Sequence, residues 1–192
     1  MRKFLCLATL TVAFGLFAAA PATADTFVAT LTGVQEVPPV SSPGSGTGLV
    51  SLNGNLLTVT MTFANLITPT IDSHIHCCVL PGTNASVAIG FTSTGFPLGV
   101  TSGSYSNTFD LNLASTYTTA FITASGGTVD AARANFTTNL MAGLTYLNIH
   151  TSQFRGGEIR GQVTTVPEPA TMILLGTGLA GLMARVRRQH KE

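Results

Sequence analysis

One stretch constrains this chain more than any other: Leu56 to Phe63, LLTVTMTF. Leu57, Val59, Met61 and Phe63 alternate there with Thr58, Thr60 and Thr62. A strict period of two sends successive side chains to opposite faces of a strand, so one face is apolar and the other carries hydroxyls. Asn53-Gly54 stands just before it, the preferred dipeptide of a two-residue hairpin turn, with Thr47 to Leu52 as the partner strand. A segment patterned this way needs an antiparallel sheet with one side packed and one side wet.

The rest of the chain supplies further strands. Thr26 to Thr32 places Phe27, Ala29 and Leu31 in phase, and Ile71 to Cys78, Ser86 to Phe91 and Ser104 to Leu111 follow. Leu144 to Val163 reads as two strands around a loop and a Gly156-Gly157 turn, with Ile159 and Val163 inward. Pro38, Pro39 and Pro43 keep the loop after the first strand extended. Two helical pieces interrupt this pattern. Ser115 to Ala124 ends at Gly126-Gly127. Thr128 to Met141 has Thr128 as N-cap, Asp130 in its first turn and an apolar stripe of Val129, Ala132, Phe136 and Leu140. The expected architecture is mainly β: an antiparallel Greek-key sandwich or barrel with one or two short helices inserted before the last strands.

Both ends differ from this pattern. Met1 to Ala24 reads as a signal helix: Arg2-Lys3, an apolar run from Phe4 to Ala19, and Ala22-Thr23-Ala24 as a cleavage box that leaves Asp25 first. Ala18-Ala19-Ala20 is an alternative cut. The domain then covers 25–165. At 166–192 come Val166-Pro167-Glu168-Pro169, an apolar run over 170–184, and a basic stop of Arg185, Arg187 and Arg188. As a membrane helix that run spans roughly 22 Å against a hydrocarbon core of about 30 Å, a marginal anchor. The basic cluster stays cytoplasmic, which puts the domain outside. These three parts in this order resemble the PEP-CTERM sorting signal of Gram-negative bacteria. That resemblance implies transient inner-membrane anchoring, an exosortase-type enzyme as partner, and delivery to the cell surface or extracellular matrix, with exopolysaccharide or envelope components as neighbours.

Charge narrows the function classes. Within 25–165 only Arg133, Arg155 and Arg160 are basic, against six acids, so the domain carries about −3. A domain of that sign does not suit nucleic acid as a partner.

Few residues carry chemistry. His74 and His76 sit at i and i+2 on one strand and share a face, and His150 lies on another strand. Neutral imidazoles on rigid strands are ligands for copper or zinc, so one divalent metal at His74, His76 and His150 is a candidate, with Cys78 or Asp72 nearby. The competing role is a polar seam in which the rings serve backbone or carboxylate partners. Cys77 and Cys78 are adjacent thiols in an exported chain. A vicinal disulfide, a metal ligand beside a buried thiol, and two free thiols all stay open. Glu158 and Arg160 read as a surface ion pair fixing the last hairpin. No nucleophile elbow, phosphate-cradling Gly loop, HExxH or CxxC occurs, so no catalytic residue is assigned.

Three stretches resemble the CHRD (chordin-type) domain, a small extracellular β module: TGVQEVPPV at 32–40, SHIHCC at 73–78 and NIHTSQFRGGEIRGQ at 148–162. The resemblance implies a β fold and residence outside the cell, and brings no settled activity with it. The function expected is therefore an exported surface or matrix module of unassigned ligand. The alternative is a metal-binding extracytoplasmic protein, or a metal-dependent enzyme, built on the His-x-His pair. That pair is also similar to one in copper/zinc superoxide dismutase, but the domain has too few histidines for a dinuclear site.

Overall fold

The computed structural model describes residues 24–166, 176–179 and 181–183. Eight strands form in order: β1 Asp25–Thr32, β2 Ser45–Asn53, β3 Leu56–Ala64, β4 Thr70–Cys77, β5 Val87–Gly90, β6 Gly103–Asp110, β7 Thr145–Thr151 and β8 Ile159–Thr165. Helices α1 (Thr119–Ala124) and α2 (Val129–Met141) lie between β6 and β7. Thr128 caps α2 through the Ala131 N–H, as the sequence suggests.

The fold is mainly β and antiparallel as expected, but the sheet is neither a two-layer sandwich nor a closed barrel. All eight strands form one antiparallel sheet in the order β5-β4-β7-β8-β1-β2-β3-β6, curled into a half-barrel. The cause is the pairing of β8 with β1, Val28 opposite Thr164 and Thr32 opposite Arg160. That ladder joins the two strand groups a sandwich would keep apart, and the right-handed strand twist curls the joined sheet. The hairpin turn also shifts by one residue. Asn53 pairs with Leu56, so Gly54-Asn55 form the loop, with Gly54 at φ +58. A positive φ at the first central position favours glycine there.

The concave face is the core. Phe27, Leu31, Val50, Leu57, Val59, Met61, Ile75, Leu147, Ile149, Ile159 and Val163 are buried on it. Side chains bring the open edges together: the ring of Phe91, beyond β5, lies 5.3 Å from that of Tyr105 on β6. Phe121 of α1 and Phe136 of α2 pack edge to face at 6.4 Å and help fill the remaining space.

The signal segment up to Thr23, the motif Pro167, Glu168 and Pro169, and the basic residues Arg185, Arg187 and Arg188 lie outside the described residues. Residues 176–179 and 181–183 are helical, and among the described residues no helix is long and apolar enough to cross a membrane.

Candidate functional site

The convex face of β4, β7 and β8 carries the site. Strand alternation puts His74 and His76, then Tyr146, Asn148 and His150, then Arg160 on this face, and register sets His74 opposite Asn148 and Asn148 opposite Arg160. A bare sheet would leave these groups in water. Here His76, Tyr146, Asn148, His150 and Arg160 are all buried. Three loops cover them. The loop after β1 supplies Glu36 and the Gln35 carbonyl, which accepts from Arg160 Nε at 3.0 Å. The β4–β5 loop supplies Asn84, whose Oδ1 accepts from Arg160 at 2.8 Å, and Ala85. The β7–β8 loop supplies Arg155 and Gly157.

The three histidines converge. One ring nitrogen from each lies within 4.8 Å of the other two, and these three are the members of that group among the described residues. The outer partners define the tautomers. His74 Nε2 meets Asp72 Oδ2 at 2.9 Å. His76 Nδ1 meets the Ala85 carbonyl at 2.9 Å, and His150 Nδ1 meets the Arg155 carbonyl at 2.9 Å. Carbonyl and carboxylate oxygens only accept, so each of these nitrogens carries the proton and donates. In the neutral form of each ring the lone pair falls on the other nitrogen: His74 Nδ1, His76 Nε2 and His150 Nε2. His74 Nδ1 and His150 Nε2 face each other at 3.2 Å, and His76 Nε2 is buried with no hydrogen-bond partner. Burial lowers the pKa of His74, and drives His76 down to about 4. Outer hydrogen bonds from ring nitrogens to oxygen orient these imidazoles as the second shell of a metal site orients its ligands.

Tyr146 supports this cluster. Its ring stacks on His76 at 4.6 Å, and the Arg160 guanidinium carbon lies 4.2 Å from its centroid. Its hydroxyl accepts from the Ala85 N–H at 3.0 Å, which holds the carbonyl that orients His76.

The cysteines lie elsewhere. Cys77 and Cys78 are joined as a vicinal disulfide, with Cys77 in the core. β4 ends at Cys77, so the strand phase of the histidines does not extend to Cys78, whose sulfur lies 3.9 Å from Asn135 Oδ1 of α2.

Glu158 and Arg160 depart from the surface pair expected. Both are buried, and the described ion pairs do not join them. Glu158 instead accepts from Ser42 Oγ at 2.6 Å, Ile67 N at 2.7 Å and Thr151 Oγ1 at 2.7 Å, pinning three segments together. Glu36 went unassigned from sequence, although it sits within the 32–40 motif. Burial raises its pKa to about 7 against the pull of Arg160. Its Oε1 and the Asn148 Oδ1 are buried without partners. Both press on Gly157, where a Cβ would meet either oxygen at 2.5 Å.

Polar side chains buried on the outside of a β half-barrel define a class: a small β module with a covered polar cluster. Family models then place the chain. Residues 27–163 match the CHRD domain and 165–188 match the PEP-CTERM protein-sorting motif. The chain belongs to the CHRD-domain family, and its sorting motif marks it as an exported protein handled by an exosortase-type enzyme. No curated protein and no solved structure matches it.

Proposed function

We propose that this module holds one copper or zinc ion between His74, His76 and His150 and carries it outside the inner membrane. The observation behind this is the convergence of three imidazoles, one ring nitrogen of each within 4.8 Å of the other two, with a second nitrogen of each ring hydrogen-bonded to Asp72, Ala85 or Arg155. Two lone pairs facing at 3.2 Å repel unless a cation or a proton lies between them. Tetrahedral zinc bound at about 2.0–2.1 Å sets its nitrogens roughly 3.3 Å apart, so this pair already has that spacing. An all-imidazole set suits copper and zinc over magnesium or calcium. The role is binding; no reaction is assigned. Elemental analysis of the exported protein is the test. Wild type should hold close to one ion per chain, and a folded His74→Ala/His76→Ala variant should lose it. Equal content in both removes the proposal.

Delivery to the surface or matrix is the second half of the reading. β8 ends at Thr165, immediately before the segment with Pro167, Glu168 and Pro169, so a cut there leaves every described strand whole. Mass measurement on surface-released protein checks it. A mature chain that keeps Arg187 and Arg188 has not been processed.

A further inference from the structure

A tetrahedral ion held by three histidines needs a fourth partner. We infer that the ion keeps one coordination position for an exchangeable water or small monodentate anion, rather than being closed by a fourth side chain. This rests on the metal reading above.

Asp72, Cys78 and Glu158 are already committed. Asp72 bonds His74 on Nε2, the nitrogen on the far side of the ring from Nδ1, and its Oδ1 accepts from the Ser73 N–H and from Thr92 Oγ1. Cys78 is bonded to Cys77 and lies by Asn135. Glu158 is occupied by three donors. Glu36 lies over Gly157 and Asn148, outside the histidine group. Among the described residues, no other His, Cys, Asp or Glu joins the three ligands.

Access and charge decide what fills the position. His76 and His150 are buried, but the His74 side chain is 17% exposed and its Asp72 partner 39% exposed, so that side of the cluster is within reach of small solutes. Three neutral imidazoles leave the full positive charge of the ion uncompensated in the inner shell, which favours an anion over a neutral ligand. Structural zinc sites are closed by four protein ligands, whereas sites with three keep a position for water or another small ligand. The exchange is a substitution: a metal–oxygen bond to water breaks, a metal–anion bond forms, water leaves, and no electron moves.

The exported protein loaded with Co(II), titrated with azide and followed by visible absorption, tests this. Saturable movement of the cobalt bands with a single azide per chain is expected, with perchlorate at equal ionic strength leaving them in place. Four-coordinate cobalt bands that azide does not move overturn the open position while leaving the metal site intact. An equal response to perchlorate also overturns it. Failure to take up Co(II), Cu(II) or Zn(II) at all overturns both this inference and the metal reading.

Discussion

The two halves of the curled sheet share one concave core but present opposite outer faces. On β2, β3 and β6 the outer face is a ladder of hydroxyls in water: Thr47 with Thr62 at 2.9 Å, Thr58 with Thr108 at 2.9 Å and Thr60 with Ser106 at 3.0 Å. On β4, β7 and β8 the same alternation delivers imidazoles, an amide, a phenol and a guanidinium, and loops bury them. The first face keeps its hydroxyls exposed and paired strand to strand. In the second, each buried unpaired donor or acceptor costs about 1–3 kcal/mol, so the partners that the loops supply carry much of its stability. Substitutions of similar chemistry should therefore differ sharply between the halves.

Glu158→Ala should have the largest effect. It strips the acceptor from Ser42, Ile67 and Thr151 inside the covered half. A loss of about 3–5 kcal/mol in urea unfolding is expected. A loss as small as that of an exposed threonine would break the contrast. Gly157→Ala follows, at roughly 2–3 kcal/mol, because a Cβ meets Glu36 and Asn148 at 2.5 Å and the backbone sits at φ +127.

Acidity gives the third test. The folded pKa of Glu36, about 7, lies above its ordinary 4.5, so the folded state binds the extra proton. Its contribution is fully present well below pH 4.5 and is lost as pH rises through 7, by about 3 kcal/mol in all. His76 has the opposite sign. Its folded pKa, about 4, is below 6.5, so its contribution is present above 6.5 and is lost as pH falls to 4. Subtracting a Glu36→Gln profile from wild type isolates the Glu36 slope, and a flat difference between pH 4.5 and 7 contradicts the buried-acid account. Thr60→Ala on the bare half should be the mildest, within about 0.5 kcal/mol. A larger loss there would show that the hydroxyl ladder is structural.

These contrasts also explain what the sequence discloses. The β2–β3 hairpin was legible because alternation and turn chemistry are local. Leu57, Val59, Met61 and Phe63 face the core as their period requires. His74 and His76 could be put on one face by spacing, but His150 joins them only through the β4–β7 register, a pairing across more than seventy positions. The acceptors that set two of the tautomers are the backbone carbonyls of Ala85 and Arg155, which leave no mark in side-chain identity. Glu158 and Arg160 resembled an exposed pair because alternation reports faces, not the loops that later cover them. The single joined sheet followed from β1–β8 pairing between the two ends of the domain, equally invisible to local pattern.

The metal cluster is the claim on which the covered half depends, and anomalous diffraction from a crystal of the copper- or zinc-loaded protein tests it most directly. The account predicts one strong peak at about 2.0–2.1 Å from His74 Nδ1, His76 Nε2 and His150 Nε2. A peak bound elsewhere, or loaded crystals with those three nitrogens bonded only to one another and to water, would contradict it.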